Sequence, residues 1–119
     1  MSRGRYAVVV GAVVIFVVVG AILIFANQPH GGQKVTVNLT VTGANSMSPA
    51  NSTLRQNDIV TINIASDTTG EVHMHGYDKH FFCIKGQVVS QTFTANNTGT
   101  FEIEWEANST HLGYLVVTP

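Results

Sequence analysis

Five histidines and a single cysteine carry most of the chemical potential of this 119-residue chain. His73 and His75 are two residues apart. His80 and Cys83 follow closely, His111 lies far down the chain before Leu112-Gly113, and His30 stands apart from all of them. On an extended segment, residues i and i+2 leave the same face, about 6–7 Å apart along the chain. His73 and His75 can therefore share one metal ion if a third ligand arrives from a distant loop, and His111 is placed to supply it. Met74, between them, points to the opposite face and into the core. Imidazole together with a soft sulfur is a ligand set for copper or zinc. His75 and His111 are read as metal ligands. His73 reads equally well as a ligand or as a structural polar residue. Cys83, in Phe81-Phe82-Cys83-Ile84, reads equally well as a ligand or as a small core filler. His80 is read as a polar residue on a solvated turn.

Other chemistries find little support. No nucleophile sits beside a base, since the serines and threonines fall in turns and on outward strand faces. There is no glycine-rich phosphate loop. Glu102, Glu104 and Glu106 alternate along one segment and read as the wet side of a strand. The chain is accordingly expected not to be an enzyme. A lone cysteine cannot staple a small domain. From residue 27 onward there are four basic residues against seven acidic ones. That balance argues against a nucleic-acid partner, because phosphates need a basic face.

The elements that must position these side chains are short strands. Val35, Val37, Leu39 and Val41 alternate with polar residues from Lys34 to Thr42, the pattern of a half-buried strand. Gly43 to Asn51 reads as a loop. Ile59 to Ala65 reads as a strand with Val60, Ile62 and Ile64 on one face, and Asp67 to Gly70 as a turn. Val72 to Tyr77 and Phe81 to Ile84 read as extended, with a turn at Lys85-Gly86-Gln87. Val88 to Ala95 and Thr100 to Glu106 read as strands joined by a hairpin turn at Asn96 to Gly99, and in the second of them Phe101, Ile103 and Trp105 face inward. Asn108 to Gly113 reads as a loop, and Tyr114 to Thr118 as the last strand. This spacing of short strands is that of a sandwich or barrel.

The N-terminal end differs. Residues Ala7 to Ala26 carry no charge. Twenty helical residues at about 1.5 Å each span about 30 Å, the thickness of a bilayer core. A secretory signal is the alternative, but its apolar stretch is typically about 7–15 residues and ends in small residues; Ile24-Phe25-Ala26-Asn27-Gln28 offers no such site. The segment is read as an uncleaved anchor. Arg3 and Arg5 precede it, which leaves the N-terminus in the cytoplasm and the rest outside, at a cell membrane crossed once. The resulting organisation is a cytoplasmic tip at 1–6, a transmembrane helix at 7–26, a linker at 27–33 and a β domain at 34–119. Asn38, Asn51, Asn96 and Asn108 each open an Asn-X-Ser/Thr acceptor, which suits an outward-facing domain, although a chain rich in Asn and Thr also makes such triplets by chance.

Leu54 to Ile62 (LRQNDIVTI), followed by Asp67 to Asp78 (DTTGEVHMHGYD), resembles cupredoxin-like domains, above all short bacterial and archaeal ones with an E-V-H-x-H-G-Y-D run. Phe93-Thr94-Ala95, Thr98 to Phe101, His111-Leu112-Gly113 and Val117 are similar to the last two strands of that family. The resemblance covers about residues 35–119. It implies a Greek-key β-sandwich with a mononuclear copper site at one end, in which His75 corresponds to the first copper histidine. A blue-copper site would also need a Cys…His…Met loop near the C-terminus. Trp105 to His111 contains no cysteine, and His111 takes roughly the place of the axial methionine. The resemblance therefore implies a rearranged site of His75 and His111, completed by His73 or Cys83. Histidine-rich coordination without thiolate favours Cu(II) binding over rapid electron transfer. The function expected is that of a membrane-tethered, extracytoplasmic copper-binding protein that stores, delivers or relays copper with a donor or acceptor protein. The alternatives are a metal-free interaction or accessory module on the same fold, and a redox electron carrier if Cys83 ligates copper. A further one, the copper-bearing domain of an oxidase subunit, lacks the two-cysteine loop a dinuclear site would need.

Overall fold

A computed structural model of the chain describes residues 32–119. The expected cytoplasmic tip, the expected transmembrane helix, His30 and most of the linker lie outside the described residues. Among the described residues, no helix is long and apolar enough to cross a membrane.

Alternation of apolar and polar side chains builds two sheets. Strand β1 (Lys34–Thr42) turns Leu39 and Val41 fully inward, and it runs parallel to β4 (Ile59–Ser66), whose Val60, Ile62 and Ile64 are completely buried. The short β2 (Ser46–Ser48) flanks β1, and β7 (Val88–Thr94) flanks β4, giving a four-stranded sheet in the order β2-β1-β4-β7. The second sheet holds β3 (Asn51–Arg55), β9 (Thr110–Thr118), β8 (Gly99–Trp105), β5 (Gly70–Met74) and β6 (Lys79–Cys83), in the order β3-β9-β8-β5-β6. One 3-10 turn, Glu106–Asn108, joins β8 to β9. The sheets close over a core that includes Val72, Met74, Phe81, Ile103, Trp105 and Leu115. Each such side chain fully withdrawn from water contributes about 1.5–3 kcal/mol. Strands β4 and β7 are neighbours although the β5–β6 hairpin between them belongs to the other sheet, which is a Greek-key connection.

Three expectations change. Asn96 to Gly99 is not a hairpin turn, because β7 and β8 lie in different sheets. Ala95 is fully buried; its N–H donates to the Asp58 carbonyl at 2.8 Å and its carbonyl accepts from Asn57 N–H at 2.7 Å. The chain is thereby held against the β3–β4 turn and crosses over instead of folding back. The loop expected from Gly43 to Asn51 contains β2 and leads into β3, which pairs in parallel with β9 through Leu54 and Val117. Finally, the loop expected from Asn108 to Gly113 is mostly strand, since β9 begins at Thr110.

That last change bears on the histidines. Across β8 and β9, Glu102 faces Tyr114 and Glu104 faces His111. Tyr114 and His111 are three apart, a spacing that in a regular strand would send them to opposite faces. A β-bulge opposite Ile103 and Glu104 restores the phase and turns both outward. Gly113, next to the bulge, lets β9 approach the chain at Ala50, for a Cβ there would meet the Ala50 carbonyl oxygen at 1.7 Å.

The β3–β4 turn depends on one buried acid. Asp58 is 1% exposed, and its carboxylate accepts the backbone N–H of Arg55 at 2.9 Å and of Gln33 at 3.2 Å. Asp58→Ala is expected to destabilise the fold by roughly 1–3 kcal/mol, because it strands backbone donors away from water. Thermal and denaturant melts check this, and an unchanged midpoint would contradict it.

Candidate metal centre

The side chains of interest project from the outer face of the five-stranded sheet. On β5, burial of Val72 and Met74 turns Glu71 and His73 outward; on β6, burial of Phe81 and Cys83 turns His80 and Phe82 outward. His73 is paired with His80 on one side and with Glu104 on the other, and Glu104 is paired in turn with His111. His80, His73, Glu104 and His111 thus form one row across four strands.

His75 lies one residue beyond β5, in the turn that leads to β6. Its N–H donates to the Glu102 carbonyl at 2.9 Å, which keeps the imidazole over β8. The turn has a demanding backbone: Gly76 has φ +85°, and a Cβ there would strike the Phe101 ring at 2.0 Å. Asp78 has φ 52°, a conformation that Asp tolerates better than most residues. Tyr77 clamps the turn from below. Its ring packs on Phe93 and Phe101, with centroids at 5.1 and 5.0 Å. Its hydroxyl donates to the Asn97 carbonyl at 2.5 Å and accepts from Asn97 N–H at 2.9 Å. Burial pushes the Tyr77 phenol above its ordinary pKa.

Every imidazole in the row or the turn touches a carboxylate. His75 Nε2 is 2.7 Å from Glu104 Oε1, and one potential ligand atom each of His75, Glu102 and Glu104 lie within 4.8 Å of one another. His111 Nδ1 is 2.9 Å from Glu102 Oε2. His73 Nε2 is 3.3 Å from Asp78 Oδ1, and His73 Nδ1 is 3.3 Å from Glu106 Oε1. His80 Nε2 is 3.1 Å from the same Asp78 oxygen, while its Nδ1 meets Glu71 Oε2. The His80 pKa is raised, chiefly by its hydrogen bond to Glu71 and then by Asp78. The Asp78 pKa is lowered, chiefly by its hydrogen bond to His80. The His73 ring lies 4.3 Å from that of His75 and is stacked on that of His80, also at 4.3 Å.

The four residues expected to form the site are therefore distributed as follows. His75 and His111 lie on the same face, with Glu102 between them: Glu102 bonds His111 and stands in the His75–Glu104 group. His73 touches His75 by its ring and directs its nitrogens to Asp78 and Glu106. Cys83 is apart from all three. It is 2% exposed on the core face of β6, with Sγ 3.8 Å from the Phe81 carbonyl oxygen. The reason is parity, since Cys83 is three residues from the outward His80. His80 is on a strand, not a solvated turn, and it joins the cluster. Glu102 and Glu104 are more than a wet face, because they are the partners of His75 and His111. The signal for them was present in Glu102-x-Glu104, which has the same two-residue step as His73-x-His75.

A thiolate–imidazole–thioether set does not fit this arrangement, since Cys83, Met47 and Met74 are all buried in the core. Imidazole nitrogens with carboxylate oxygens do fit a divalent transition ion.

No family model matches the sequence, and no curated protein matches it. Solved structures do match. A chain of a haem-copper terminal oxidase dimer has a TM-score of 0.63 at 13% identity, over 97% of this chain and 99% of that one. A copper binding protein in its apo form has a TM-score of 0.59 at 18% identity, over 72% of this chain and 96% of that one. Auracyanin A, a blue copper protein from Chloroflexus aurantiacus, has a TM-score of 0.55 at 15% identity, over 71% and 99%. The described domain is a cupredoxin-like β-sandwich.

Burial raises the pKa of the Cys83 thiol. A thiol-reactive dye is expected to label the native chain slowly and the denatured chain promptly; prompt native labelling would place the thiol elsewhere. Because the folded state disfavours the thiolate, this thiol's contribution to stability is complete below the unfolded thiol value, about 8.5, and is lost as pH rises above it.

Proposed function

We propose that this cupredoxin-like domain is the copper-binding part of a membrane-tethered, extracytoplasmic protein that stores, delivers or relays copper. The carrying observation is the grouping of His75 with Glu104 and Glu102, with His111 on the far side of Glu102. His75 Nε2 is the nitrogen ligand, Glu104 the nearest oxygen ligand, and Glu102 the link through which His111 joins. Such a set binds Cu(II) by nitrogen and oxygen, and it lacks the thiolate and thioether that suit a rapid electron carrier. Here copper is cargo, taken from a donor protein and passed to an acceptor. The tether rests on the uncharged stretch 7–26 and on Arg3 and Arg5 before it. Copper proteins among the structural neighbours are consistent with this reading.

A second reading is a metal-free accessory module. It is favoured by the same hydrogen bonds, since every imidazole of the face already has a carboxylate partner.

Copper titration of the full-length chain separates the two. The copper reading expects Cu(II) uptake with a nitrogen–oxygen electron paramagnetic resonance spectrum and no intense blue charge-transfer band. It also expects His75→Ala and Glu104→Gln each to remove one bound Cu(II). Equal uptake by the wild type and His75→Ala would refute the assignment. An intense band abolished in Cys83→Ser would return the thiolate to the metal, and no uptake at all would leave the metal-free module.

A further inference from the structure

We infer that the β5–β6 hairpin holds a second cation site, for a divalent transition ion such as Zn2+, formed by His73 Nε2, His80 Nε2 and Asp78. It shares no ligand with the His75 group and does not depend on it.

The geometry can accommodate one ion. His73 and His80 are cross-strand partners on β5 and β6, and their rings stack at 4.3 Å with only 8° between planes. Both rings direct Nε2 to one oxygen, Asp78 Oδ1, at 3.3 and 3.1 Å. Both contacts are hydrogen bonds at the long end of the ordinary range. Atoms each about 2.0–2.2 Å from one ion stand roughly 2.9–3.5 Å apart at square or tetrahedral angles, which spans both values. One potential ligand atom from each of the three residues lies within 4.8 Å of the others.

A second, independent feature points the same way. Each imidazole has a different carboxylate beside its other nitrogen: Glu106 lies 3.3 Å from His73 Nδ1, and Glu71 hydrogen-bonds His80 Nδ1. At His80 the Glu71 carboxylate favours Nδ1–H and frees the Nε2 lone pair for a metal, the usual arrangement around bound metals, and Glu106 is close enough to His73 Nδ1 to do the same once an ion binds. Without a cation, both rings reach Asp78 Oδ1 as Nε2–H donors. With a cation, both lone pairs and the carboxylate have a partner. The backbone supports the placement, because the left-handed conformation at Asp78 puts its carboxylate beside the hairpin it closes. The Asp78 side chain is 84% exposed, so the ion has a path from solvent and room for water in the remaining positions. Two imidazoles and one carboxylate with open positions suit zinc and related ions.

The test is zinc stoichiometry of the full-length chain, by calorimetry and by metal analysis after gel filtration. The wild type should bind two Zn2+. Asp78→Asn and His80→Gln should each bind one, and His75→Ala should also bind one, a different ion. Glu71→Gln should keep the count and weaken the hairpin site by about 10–100-fold. Wild-type ring-nitrogen NMR gives a measure that needs no variant, as the His73 and His80 signals should both move on zinc addition. Unchanged zinc counts in Asp78→Asn and His80→Gln, or unmoved His73 and His80 signals at saturating zinc, would overturn the hairpin site. A zinc count that falls in Asp78→Asn but not in His75→Ala would support the hairpin site while removing the His75 group.

Discussion

Strand β5 has to bury Val72 and Met74, both of which are wholly withdrawn from solvent, and the arrangement of the outer face follows from that requirement. With a side-chain period of two, burying those residues commits Glu71 and His73 to the opposite side. The same condition on β6 commits His80, and on β8 it commits Glu102 and Glu104. A slip of one residue in β5 would put both apolar side chains in water and His73 in the core, at a cost of several kcal/mol. Core packing therefore sets the register, and the register brings His80, His73, Glu104 and His111 into one row.

Stability and chemistry consequently occupy different faces of the same strands. The imidazole–carboxylate contacts are partly to fully exposed, and solvent screening leaves exposed pairs of this kind little weight in folding. The inward residues, together with buried Asp58 at the β3–β4 turn, hold the sandwich. The outer row is thus free to serve binding. It sets four imidazoles against carboxylates from Glu71, Asp78, Glu102, Glu104 and Glu106, nitrogen and oxygen donors with no thiol among them. Cys83 is removed from that chemistry by its inward position.

Much of the architecture was legible along the chain. The alternation in Lys34 to Thr42 and in Ile59 to Ala65 marked β1 and β4 and their buried residues. The inward assignment of Phe101, Ile103 and Trp105 holds, since Ile103 and Trp105 are buried and Phe101 packs against the core. The misreadings share a cause. The Asn96 to Gly99 segment has the composition of a tight turn, but composition does not say whether flanking strands belong to one sheet. Buried Ala95, bonded to Asn57 and Asp58, decides that they do not. Glu102 and Glu104 looked like an ordinary wet face because their partners arrive from β5 and β9.

By itself, the order of residues determined which side chains could be inward and which outward, because parity along a strand is a local property. It also determined the stock of ligands: imidazoles and carboxylates in abundance and a single thiol. Only the tertiary structure decided which of them meet. Whether His111 joins Glu102 depends on a bulge that corrects an odd spacing, and whether His80 joins His73 depends on the pairing of β5 with β6. Those are relations between strands, set by the burial of both sheets at once, and no segment read alone contains them.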